Sequence, residues 1–215
     1  MKSPPMTQYD PIHHWPEAVA FVVEHHADDV RKGTRVPYVT HVMAVAETLA
    51  YHYPERDALI VAGLLHDVVE DTAATFEMVE ARFGPEGAAL VRAVSKDDDA
   101  MVAADGRPLP PQPRSPHDVR DLWRRRREFM LSHVRGPDVP VDVLRLKAAD
   151  ALANLQTIAR DLANPAVGEG VWDRFNVGRD ESLWFYGEVV AAVESGIGDE
   201  PLAVALRRAL AAVSG

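Results

Sequence analysis

No cysteine occurs anywhere in the chain. Disulfides, a thiolate nucleophile and cysteine-bound metals are excluded together. Nor does any apolar run approach the ~18 residues that a membrane span requires, so no membrane association is expected. Positive charge is also scarce: 23 Lys and Arg stand against 33 Asp and Glu, a formal charge of −10. A large nucleic-acid footprint demands a basic surface and is not expected here. A small phosphorylated ligand stays compatible, because a few local cations or a metal can serve it. The opening "MKSPPMTQYDPIHHW" has no apolar signal core, and the expected compartment is the cytoplasm.

What is present is helical periodicity, with 47% hydrophobic residues over 215. The pattern reads as one all-α domain over residues 1–215, with a core from about 17 to 195. "WPEAVAFVVEHHADDVRKG" has Pro near its start and stops on Lys32-Gly33, the expected end of the first helix. "VMAVAETLAYHY" and "RDALIVAGLLHDVVEDT" follow as single helices. "TFEMVEARFG", capped by Thr75, is separated by Gly84-Pro85 from "PEGAALVRAVSK". An Asp- and Pro-rich stretch around residues 97–118 reads as a long irregular loop. Helices resume with "VRDLWRRRREFMLSHV", "VDVLRLKAADALANLQTIARDL" and "ESLWFYGEVVAAVESG". "PLAVALRRALAAV" ends the pattern, packed inside the monomer or against a second copy.

One of these runs holds charges that its surroundings do not favour. "ALIVAGLL" is apolar nearly all round, the mark of an enclosed helix, yet His66, Asp67, Glu70 and Asp71 follow it directly. Buried charge is costly unless paired or bound to a metal. At helical spacing His66 and Glu70 share one face and Asp67 and Asp71 the next. An N/O metal site needs further donors. His41 opens one apolar helix and Asp150 sits inside another.

The ordered set His41, His66-Asp67 and Asp150 resembles the HD-domain metal-dependent phosphohydrolases, and among them the RelA/SpoT hydrolase domain and the small stand-alone alarmone hydrolases. "HADDVRKGTRVPYVTHVMAVAETL", "ALIVAGLLHDVVEDT", "FGPEGAALVRAVSK" and "LRLKAADALANLQTI" carry the likeness. It implies an HD-domain helical bundle with His41, His66, Asp67 and Asp150 as ligands for Mn2+ or another divalent metal. Glu70 and Asp71 would orient or deprotonate the attacking water. Arg31 and Lys32 would flank the base, Asn154 and Thr157 would approach the sugar, and Lys96 and Lys147 would meet phosphate oxygens.

The implied activity is (p)ppGpp 3′-pyrophosphohydrolysis. The alternatives are an HD phosphatase or nucleotidase for another phosphorylated molecule, and a non-catalytic nucleotide-binding module. The implied partner is a small nucleotide, and the protein would be a monomer or homodimer. Departures from the family pattern fall on base and sugar recognition. Asp28-Asp29 replaces Gly-Gln, "ADALAN" replaces "ADRLHN", and the basic pair lies one residue further from His41. "WRRRRE" (Trp123 to Glu128) reads as a solvated basic face, with a phosphate-gripping role for Arg126 or Arg127 open.

Overall fold

A helix with no polar side has to be enclosed. In the computed structural model, which describes residues 12–95 and 115–215, α3 (Asp57–Leu65) is that helix. Its residues from Leu59 to Leu65 are all buried. Around it pack α1 (Trp15–His25), α2 (Val39–His52), α5 (Phe76–Val94) and the long α7 (Val141–Ala163). Gly63 makes the α2–α3 approach possible. A Cβ there would stand 2.8 Å from Leu49 Cδ1 and 3.2 Å from Ala46 Cα.

The second axis of the core is α7, whose apolar positions from Val143 to Ile158 are buried. It is flanked by α6 (Pro116–Val134), a 3-10 turn (Gly168–Arg174), α8 (Gly178–Ile197) and α9 (Pro201–Ser214). Leu202, Ala203 and Leu206 of α9 are buried against α7 and α8, so this apolar helix packs within the chain. Glu200, its N-cap, accepts from Arg145 and from the Tyr53 hydroxyl, tying α9 to α7 and to the end of α2. Among the described residues no strand forms, and Val30 and Pro37 make an isolated antiparallel bridge.

Several boundaries depart from the periodicity. The first helix ends at His25 rather than at Lys32-Gly33. Acids are disfavoured at a helix C-terminus, and Asp29 serves the loop instead. Its carboxylate meets His26 Nδ1 at 2.8 Å and its carbonyl accepts from Tyr38 N. The central run is two helices, α3 and α4 (Val68–Asp71), joined at His66-Asp67. The His66 ring bonds back to the Gly63 carbonyl at 2.9 Å, a local side-chain alternative to the helix ladder. The kink in α5 falls at Gly84 (φ 84°) before Pro85, and Thr75 caps Met78 N, both as the sequence indicates. The expected irregular stretch ends before 118: Ser115 caps Asp118 N and α6 begins at Pro116. Residues 97–114 lie outside the described residues.

Candidate metal centre and its cleft

Three packed elements bring the four expected donors together. His41 lies in the first turn of α2, His66 and Asp67 form the α3–α4 joint, and Asp150 lies mid-way along α7. Donor atoms of His41, His66 and Asp150 lie within 4.8 Å of one another. Asp67 Oδ2 is 3.0 Å from His66 Nε2 and 3.6 Å from His41 Nε2, while Asp150 Oδ1 is 3.3 Å from His41 Nε2. Both imidazoles are buried and both carboxylates are partly buried.

The surroundings orient this set. The Gly63 carbonyl takes a hydrogen from His66 Nδ1, which turns Nε2 toward the carboxylates. Among the described residues, buried His66 Nε2 makes no well-formed hydrogen bond although Asp67 Oδ2 lies 3.0 Å away, and a cation held by both would satisfy them. The Tyr38 hydroxyl donates to Asp67 Oδ2. Lys147 Nζ and Asn154 Nδ2 donate to opposite oxygens of Asp150, each at 2.7 Å. Arg31 Nη2 holds the Asn154 carbonyl at 2.6 Å. Ligands braced by outer hydrogen bonds are what a metal site needs.

Charge balance favours a cation as well. Burial disfavours protonated His66, yet the Asp67 and Asp150 carboxylates outweigh it and carry the ring up to about 9. Burial raises Asp67 and Asp150, but neighbouring cationic groups hold both well below the usual carboxylate range: His66 and His41 for Asp67, Lys147 and the histidines for Asp150. Burial lowers His41. Burial, then the charge of Asp67, raises the Tyr38 hydroxyl, so it stays a donor. Two imidazoles and two carboxylates at these separations fit one divalent ion.

Above the four donors lies a cleft of about 160 Å3. Glu70, Asp71, Lys147, Arg31, Asn154 and Arg127 line it with Tyr38. A second chamber of about 260 Å3 shares Arg31, Tyr38, Arg127 and Asn154 with the first and is walled by Ile158, Phe175 and Tyr186. Thr157 and Lys32 face this second chamber, not the donors. The Thr157 hydroxyl returns to the Ala153 carbonyl, and Lys32 Nζ donates to Asn176 Oδ1 at 2.6 Å. Lys147 is buried. Lys96 lies outside the described residues.

Tyr38, Arg174 and Asp161 join the site without having been singled out from the sequence. Tyr38 could have been, since it stands three residues before His41 and so on the same helical face. Arg174 pairs with Asp161 at 2.5 Å, and its side chain packs on Gly33 across more than a hundred residues. No local sequence signal marks such a contact.

An HD domain family model matches residues 18–172. A probable guanosine-3′,5′-bis(diphosphate) 3′-pyrophosphohydrolase of Synechocystis sp. is 46% identical over 141 residues, 66% of this chain and 16% of that protein. Guanosine-3′,5′-bis(diphosphate) 3′-pyrophosphohydrolase MESH1 of Drosophila melanogaster is 42% identical over 83 residues, 38% of this chain and 46% of that protein. The chain thus spans less than half the length of these curated relatives. A solved structure of a metazoan ortholog of SpoT that hydrolyzes ppGpp superposes with a TM-score of 0.66 at 26% identity, over 94% of this chain and 96% of that one.

Proposed function

Because the chain belongs to the HD-domain family, we propose that it is a metal-dependent phosphohydrolase releasing pyrophosphate from the 3′ position of (p)ppGpp. The observation that carries this reading is the shared cleft. His41, His66, Asp67 and Asp150 form its floor, Glu70 and Asp71 stand on its wall, and basic side chains line it. A divalent ion held by the four donors, Mn2+ being the one implied, would supply Lewis acidity toward water and the phosphoryl oxygens.

The chain's own groups do the rest. Glu70 and Asp71 hold a water in line with the scissile phosphorus and take its proton. Lys147, fixed on Asp150 at 2.7 Å, presents its charge to the same cleft. Attack forms a bond from the water oxygen to phosphorus and breaks the bond from phosphorus to the 3′ oxygen. That oxygen takes the electron pair and a proton and leaves as a hydroxyl of the nucleoside 5′-diphosphate, or 5′-triphosphate from pppGpp. The second chamber, with Arg31 over the Tyr38 ring and an aromatic wall, takes the sugar and base. Membrane and nucleic-acid partners have no place in this reading. Among the described residues no helix is long and apolar enough to cross a membrane.

A product assay tests it. Purified protein with Mn2+ is offered ppGpp, pppGpp, ppApp and nucleoside mono- and triphosphates. Pyrophosphate from the 3′-diphosphates is expected, and orthophosphate from another substrate alone would move the reading to a different HD phosphatase. Turnover of none of them by metal-loaded protein would favour a non-catalytic nucleotide-binding module.

A further inference from the structure

Four consecutive arginines, Arg124 to Arg127, cover every side of α6, and they have different fates. Arg124 pairs with Glu181 and Glu128 and lies over the Trp184 ring. Arg125 is buried. Arg127 alone of the four lines the cleft, on the wall common to its two chambers.

Its guanidinium sits 4.6 Å from the Phe185 ring centre and 5.4 Å from that of Trp123, and among the described residues it has no carboxylate partner. Aromatic faces hold a guanidinium in place without neutralising it. A half-buried cation without a counter-charge is costly. Such a group is preorganised for an anion that arrives with the ligand. Arg31 and Tyr186 line the second chamber with it.

The position decides which phosphate is met. The donor cluster and Lys147 line only the first chamber of the pair, and the reacting phosphate belongs there. With that phosphate in the first chamber and the sugar and base in the second, the sugar bridges the junction that Arg127 lines. We infer that Arg127 binds the phosphate that does not react, beside the sugar at the junction of the two chambers. It thereby selects nucleotides phosphorylated at both the 3′ and 5′ positions. This inference rests on the phosphohydrolase reading above.

The test compares guanosine 3′,5′-bis(diphosphate) with guanosine 3′-diphosphate, which lacks the 5′ group, as substrates of the wild-type, Arg127→Gln and Arg127→Lys proteins with Mn2+. Arg127→Gln is expected to lower kcat/KM for the first substrate about tenfold more than for the second, chiefly through KM, with Arg127→Lys recovering part of the loss. Equal losses on both substrates would overturn the inference and assign Arg127 to the reacting phosphate. A second measure needs no variant: guanosine 5′-diphosphate should compete about tenfold better than guanosine in the wild-type protein. Equal competition would overturn the inference as well. A wild-type protein that releases nothing from either 3′-diphosphate overturns the phosphohydrolase reading, and the role of Arg127 falls with it.

Discussion

The Tyr38 hydroxyl donates to Asp67 Oδ2, the same oxygen that faces both imidazoles. That oxygen's orientation therefore depends on a side chain one helical turn before His41. Tyr38→Phe keeps the ring against His26 and His41 and removes only the donor. Mn2+ affinity should fall by roughly ten- to a hundredfold, with folding stability lowered by about 1 kcal/mol. Calorimetric titration and urea unfolding read the two effects, and unchanged affinity would show that the bond does not position Asp67.

Asp67→Ala removes a donor from a joint between helices, not from the middle of one. Metal binding and turnover should be lost while far-UV circular dichroism keeps its helical signal. Full metal-dependent turnover in this variant would remove Asp67 from the ligand set.

Gly63→Ala places a methyl 2.8 Å from Leu49 Cδ1 and 3.2 Å from a backbone carbon of α2. Backbone does not yield as a side chain does. A loss of about 1–3 kcal/mol in chemical unfolding is expected, together with weaker metal binding, since α2 and α3 carry His41 and His66. A fully stable variant would mean that the two helices separate without cost.

Acid should loosen the C-terminal helix before the core. Hydrogen bonds from Arg145 hold the Glu200 carboxyl below its ordinary 4.5 despite some burial. A group that is more acidic when folded adds its stability fully above that ordinary value and loses it as pH falls through the folded value. The window therefore lies below about pH 4.5. Glu200→Gln should flatten the acid limb of the melting temperature there and cost at most about 1 kcal/mol at neutral pH. A limb as steep as in the wild-type protein would place the acid sensitivity elsewhere.

Much of this was legible in the residues. Apolar spacing marks the helices because packing obeys the same period, and Gly84-Pro85 breaks α5 through backbone geometry that no neighbour can override. The charges after "ALIVAGLL" mark the site because burial makes them costly. The break at His66-Asp67 was hidden, since a ring-to-carbonyl bond competes with a helix without changing the apolar pattern. Lys32 looked like Arg31's twin, yet it reaches Asn176 while Arg31 reaches Asn154. Those partners are set by chain segments far apart in sequence. Arg127 differs from its three neighbours only in the direction it faces, which composition does not carry.

The donors at 41, 66 and 67 precede α5 in the chain, and the one at 150 follows α6. During synthesis the first three leave the ribosome well before the fourth. Tight cation uptake therefore waits until α7 docks against α2 and α3, and it then clamps all three through mass action. Metal occupancy reports that docking directly. Stripping the ion would relax the long-range contacts that finish the core, and a protease would read the change before a spectrometer measuring helix content.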